Sequence, residues 1–273
     1  MTSEKAALVF PPLAQVNRPE VPRWSAPGLI GLWALAVVPM AVLSLGVAPV
    51  LIERYPAQDP GLLFWGTIIA GMVWLFIVSV AVLIWEGQVH SWDDLCRSIW
   101  LTTPREPVTG RASWRALWVV ALVGMIFVLS SEVALDWVDD ALASVLPAWM
   151  TPEYGDIARL AVPENAGNWT ILWMALLSGL FNYVLGEALF FHGILLPRME
   201  TAFGRWAWLA NAVAFGCYHL HKAATLPTQI VTCMAYSLPS QYLRSIWPAL
   251  VIHGVEGAFV IAAVLFVVLG GLT

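Results

Sequence analysis

The sequence predicts an all-α, polytopic transmembrane helix bundle with about seven or eight spans. Three observations predict it. Of 273 residues, 60% are hydrophobic and only 11% charged, with a mean hydropathy of +0.76, whereas an ordinary soluble domain carries about 25% charged residues. The apolar residues fall in long runs near the roughly 20 residues that a helix needs to cross about 30 Å of hydrocarbon, too long and unbroken for barrel strands. The chain also holds 16 Trp, a residue that favours the membrane–water interface.

Residues 1–27 read as a polar, Pro-rich tail without the early apolar stretch of a cleavable signal peptide. Residues 28–273 read as one transmembrane bundle, since no polar linker divides them. Spans are expected near 28–52, 61–85, 116–135, 169–197, 206–221, 225–243 and 247–271. The fifth is short. The sixth contains Pro227 and Pro239, so a kinked or partly re-entrant path is expected, shielded by protein.

Basic residues set the expected orientation. Lys5, Arg18 and Arg23 precede the first span, Arg97, Arg105, Arg111 and Arg115 lie between the second and third, Arg198 and Arg205 follow the fourth, and Arg244 follows the sixth. All fall on one side, which is then cytoplasmic. Arg54, Arg159 and Lys222 fall on the other, together with an acidic loop, 136–168. The expected setting is multi-pass in a bacterial inner (cytoplasmic) membrane, with the N-terminus cytoplasmic. Trp92–Leu101 reads as a short amphipathic interfacial helix or an ordinary capped loop helix. Loop 136–168 reads as a partly ordered cap able to screen a substrate entrance. Cys96, Cys217 and Cys233 have no metal-binding spacing and read as free thiols. No basic stripe points to nucleic acid.

The chemistry rests on polar residues inside apolar runs. A carboxylate at the centre of a spanning helix costs roughly 2.5–3.5 kcal/mol, and Glu187 occupies such a place. Counted at 1.5 Å per residue from Arg198, Arg205 and Arg244 in turn, Glu187 lies about 17 Å deep, His219 about 21 Å and His253 about 14 Å. Three separate helices thus put three titratable groups at one level. A buried carboxylate beside an imidazole can hold and deprotonate water, which attacks a carbonyl while a second imidazole donates to the oxyanion. The plainer readings are a helix-gluing carboxylate at Glu187, and histidines that simply bond backbone carbonyls. His221 and Lys222 can mark the membrane exit, Glu132 an interface, and Phe215 packing. Gly179, Gly186 and Gly193 can let helices approach closely.

The run EALFFHGILLPR from Glu187 to Arg198 resembles the first motif (EExxxR, then G-I-L) of the CAAX-protease and bacteriocin-processing family of intramembrane glutamic-type endopeptidases. Phe215-Gly-Cys-Tyr-His219 resembles its FxxxH motif, followed by Leu220-His221, and His253-Gly-Val-Glu-Gly257 resembles its HxxxN motif. The family-like core covers about 90–270, sharpest at 180–258. The resemblance implies Glu187 and His219 as the water-activating pair and His253 as an oxyanion donor. Three positions depart from the pattern: Ala188 stands for the second glutamate, His192 for the arginine and Gly257 for the asparagine. His192, Phe215, His221 and Glu256 are supporting candidates. On an α-helix His192 falls about 140° around from Glu187, a position suited to contacting a neighbouring helix.

The leading expectation is an endopeptidase acting on a membrane-anchored protein or peptide in the bilayer, without cofactor or metal. The alternatives are a catalytically impaired relative that binds membrane peptides or acts as a scaffold, a proton-coupled transporter, and a zinc enzyme using Glu187, His219 and His253. No paired broken helices favour transport, and no H-E-x-x-H favours zinc.

Overall fold

A computed structural model describes residues 21–272. Lys5, Arg18 and most of the expected N-terminal tail lie outside the described residues. Within them the fold is all helical; the strand-like exception is one isolated antiparallel bridge, Arg105–Ala112.

Four of the α-helices start where the sequence supplies a side-chain cap. Ser25 accepts from Gly28 N at the head of α1 (Ala26–Val42). A π-turn, Leu43–Val47, joins it to α2 (Ala48–Arg54). The widened turn ends two residues before Pro49, which has no N–H to give to the helical ladder. Asp59 accepts from Leu62 N to open α3 (Pro60–Glu86), and Gly87 closes it at φ +62°, a left-handed position natural to glycine. Ser91 caps the short α4 (Trp92–Ser98), and Ile99 and Trp100 behind it are buried. Ser113 caps α5 (Trp114–Val145).

α5 runs further than expected. No Gly or Pro interrupts it between Gly124 and Pro147, so Asp136, Asp139 and Asp140 lie on the helix rather than in a loop. The connection 146–168 is then a chain of 3₁₀ turns. It is anchored by buried Leu160, by Tyr154 against Phe64 (ring centroids 5.5 Å), and by Gly167 N donating to Val268 O at 2.8 Å.

α6 (Trp169–Leu180) passes through two π-helical stretches, Phe181–Leu185 and Ala188–Leu195, into α7 (Leu196–Phe203). Gly204, at φ +54°, turns the chain into α8 (Ala207–Tyr218). α9 (Leu226–Thr232) and α10 (Met234–Leu243) make the expected broken sixth segment, with a break at Cys233, and α11 (Trp247–Val268) ends the bundle. Among the described residues five stretches are long and apolar enough to cross a membrane: Ala26–Arg54, Pro60–Glu86, Trp114–Val145, Trp169–Tyr218 and Trp247–Val268. The fourth contains the Gly204 reversal, and α9–α10 adds a further leg, giving the seven helical segments expected.

Buried polar side chains tie the legs together. Asn211 donates to Phe191 O (2.7 Å) and accepts from Ser237 Oγ (3.0 Å), joining the π-helical stretch, α8 and α10. Gln241 accepts from Trp208 N and donates to Gly204 O. Near the arginine-bearing end, Arg198 is fully buried. Its Nε and Nη2 hold the two oxygens of Glu86 at 2.8 and 2.5 Å, and its Nη1 donates to Ile194 O at 2.8 Å. Trp24 Nε1 donates to the same carboxylate at 2.9 Å. Arg198, counted by sequence among the charges at the membrane rim, is thus spent inside the protein.

Candidate active site

The site is built on a hairpin. Phe191 contacts Asn211 and Glu187 contacts His219, so moving toward Glu187 on the first leg means moving toward His219 on α8. The legs run antiparallel about the Gly204 turn, and the reversal brings the first two motifs face to face.

Glu187 sits between the two π-helical stretches and is buried. The preceding π-turn closes with Gly186 N donating to Phe181 O at 2.7 Å. A methyl group on Gly186 would collide with Phe181 O and come within 2.7 Å of Met72 O on α3, so the backbone here comes close to α3 only because residue 186 has no side chain. π-turns of this kind concentrate at functional sites.

His219 ends α8, with its ring buried. Its Nδ1 lies 3.1 Å from Phe215 O. A carbonyl only accepts, so Nδ1 carries the proton and Nε2 presents a lone pair. That Nε2 lies 3.9 Å from Glu187 Oε2, beyond a direct hydrogen bond and suited to one bridging water. Both groups line a cavity of about 180 Å³ that also takes in Asn182, Tyr183, His221 and Lys222. Tyr154, Gly155 and Ile157 of the 146–168 connection, with Gly61 and Phe64 at the start of α3, complete its far wall. The cavity therefore faces the end of the bundle opposite the Arg198–Glu86 pair, beneath the expected cap.

His253, on α11, is not among the residues lining the cavity. Its ring stacks flat on Tyr236 (centroids 4.1 Å, 6° between planes), and its Nδ1 lies 3.5 Å from Glu256 Oε2. Tyr236 donates its hydroxyl to Glu256 Oε1 at 2.5 Å. Glu256 thus holds both the imidazole and the phenol stacked on it. His253 Nε2 is buried without a hydrogen-bond partner.

Phe215 lies at the hub. It stacks on Phe191 (4.3 Å) and lies 5.2 Å from His219, 5.5 Å from His192 and 5.8 Å from His253. Its role by position is to pack the imidazoles into one layer. His192 is completely buried, 6.4 Å from His253 between ring centroids, and neither ring nitrogen has a partner. Residues 188–195 form a π-helix with i to i+5 hydrogen bonding, a wider winding than the α-helix behind the 140° offset. As that offset suggested, His192 meets neighbouring helices, at Phe215, Tyr236 and His253, and is absent from the cavity lining that includes Glu187. His192 consequently joins the layer of imidazoles. His221 lies 5.6 Å from His219, with its Nδ1 buried and unpartnered.

The sequence did not single out Asn182, Tyr183, Tyr218 or Tyr236. Tyr218 is buried beside Glu187, and Asn182 Oδ1 is buried without a partner. Tyr218 and Tyr236 lie close to motif residues in sequence or in space; nothing in the sequence distinguishes Asn182 and Tyr183 from other residues of their span. Among the described residues no group of three His, Cys, Asp or Glu side chains is arranged to hold a metal ion.

Residues 168–259 match the family described as Type II CAAX prenyl endopeptidase Rce1-like. The segment holds all three motifs and lies inside the family-like core read from the sequence. The match is a likeness of this part of the chain to a family described as endopeptidases. No curated protein matches the chain, and no solved structure does.

Proposed function

We propose that the protein is an intramembrane endopeptidase that hydrolyses a peptide bond of a membrane-anchored protein or peptide through a water activated by Glu187 and His219. The observation that carries this reading is the 3.9 Å gap between Glu187 Oε2 and His219 Nε2 at the wall of a shared cavity. Two acceptors so spaced hold a water by its two hydrogens and turn its lone pairs toward the cavity. The water oxygen bonds to the scissile carbonyl carbon, one water proton passes to the pair, and the carbonyl π electrons move onto oxygen. Collapse breaks the C–N bond, and the departing nitrogen takes the proton. Low dielectric strengthens each of these interactions.

The CAAX prenyl tail named in the family description is one substrate class to test; a peptide precursor or a C-terminal sorting tail fits the same chemistry. With the N-terminus cytoplasmic, as the arginine distribution supports, the cavity faces the other side of the membrane.

The test is comparison of protein termini in membranes containing the wild type, Glu187→Gln and His219→Ala. The expected result is a processed terminus in the wild type that falls about 10²–10⁴-fold in both variants, with the variants still folded in the membrane. Equal processing in all three removes the reading.

A second reading, a non-catalytic peptide-binding relative, is favoured by one observation: His253 is engaged by Glu256 and stacked on Tyr236, away from the cavity lining. Stoichiometric co-purification of an uncleaved membrane peptide distinguishes it.

A further inference from the structure

Gly257 stands where the resembling motif carries an asparagine, and it has no side chain with which to donate a hydrogen bond. The structure shows what occupies that space. A Cβ built on Gly257 would run into Cδ2 and Cε2 of Tyr183. The Tyr183 ring lies flush over the Gly257 backbone, 6.0 Å from the His253 ring by centroids. It comes from a different helical leg, so two elements have exchanged the filling of one position.

Three further observations concern the hydroxyl. Tyr183 lines the cavity that Glu187 and His219 share. No hydrogen bond joins its hydroxyl to another described residue, and the hydroxyl is absent from the buried orphan atoms, which include the Asn182 carbonyl oxygen next to it. The donor is therefore unpartnered and not sealed off, on a side chain that lines the cavity. Its placement follows from the π-turn Phe181–Leu185, which adds a residue to the turn and re-aims the side chains it contains.

We infer that Tyr183 is a catalytic residue that donates its phenolic hydrogen bond to the carbonyl oxygen of the scissile peptide, filling the role that a side chain at Gly257 cannot. The inference rests on the hydrolytic reading above and adds a residue to it. As the water attacks, negative charge gathers on the carbonyl oxygen, and a preset O–H donor in a dry site stabilises that charge without reorganising. His253, stacked on Tyr236, then positions and polarises the layer beneath, and the phenol touches the substrate.

The experiment scores the Glu187-dependent terminus identified in membranes, now in Tyr183→Phe. This substitution keeps the ring over Gly257 and removes only the donor. Removal of one oxyanion donor is expected to lower kcat about 10²–10³-fold with KM little changed and the thermal midpoint preserved. A second variant exchanges the two positions. Tyr183→Ala removes the ring and the donor, and Tyr183→Ala with Gly257→Asn places an amide donor in the vacated space; the double variant is expected to exceed the single one in kcat. Wild-type kcat in Tyr183→Phe overturns the inference while leaving the hydrolytic reading intact if Glu187→Gln is inactive. A double variant no more active than Tyr183→Ala, although equally folded, also counts against it. Processing that survives Glu187→Gln sinks the hydrolytic reading, and this assignment with it.

Discussion

The fully buried guanidinium of Arg198 grips both carboxylate oxygens of Glu86, at 2.8 and 2.5 Å. It joins the end of α3 to the leg that carries Glu187 and is shared with Trp24 and the carbonyl of Ile194. Desolvation makes such a pair a poor source of net stability, but the loss of one partner strands the other as a buried charge.

Arg198→Met is therefore expected to destabilise the protein by about 3–5 kcal/mol, read from thermal or denaturant unfolding in detergent. The double variant Arg198→Met with Glu86→Leu is expected to recover most of that loss, because no charge is left unpaired. A double variant as unstable as the single one would contradict this account.

Gly186→Ala is expected to cost about 1–3 kcal/mol through overpacking and to lower processing more than stability alone explains. The added methyl meets Phe181 O and Met72 O, both backbone atoms, and the π-turn that sets Glu187 beside His219 must shift. Unfolding and processing measured on the same preparation separate the two effects.

Asn211→Leu leaves the Phe191 carbonyl and the Ser237 hydroxyl without their shared partner. The expected loss is about 1–3 kcal/mol. Ser237→Ala, which removes only one of these bonds, is expected to cost less. Denaturant midpoints of the two variants check the order.

Cysteine labelling tests the proposed orientation. In a chain whose three native cysteines are replaced by alanine, Ile157→Cys lies beside the cavity and Val108→Cys on the arginine-bearing side, and both positions are exposed. A membrane-impermeant maleimide added to intact cells is expected to label Ile157→Cys and to spare Val108→Cys until the membrane is opened. The reverse pattern places the cavity on the cytoplasmic side.

Much of this arrangement was legible in the sequence because bilayer physics leaves few choices. Apolar run length gave the seven helical segments, and the rarity of carboxylates in such runs singled out Glu187. Matched depth and motif spacing gave His219 and His253, which the fold brings into one layer around Phe215. What stayed hidden depends on winding and on distant partners. The π-helical turns at 181–185 and 188–195 are not readable from apolar periodicity. Tyr183 carried no signal at all, because its importance comes from the vacancy at Gly257, 74 residues along the chain. The buried role of Arg198 was hidden for a similar reason: its partner, Glu86, lies 112 residues away.

The cap over the cavity has a consequence for what the protein admits. At about 180 Å³, the chamber is smaller than the 300–1,000 Å³ typical of small-molecule sites, so on the proposed reading it admits a stretch of extended chain past residues 154–157 and little more. A folded domain is too bulky to present its chain there. Under that reading, discrimination among membrane proteins rests on how loose and extended a candidate's chain end is.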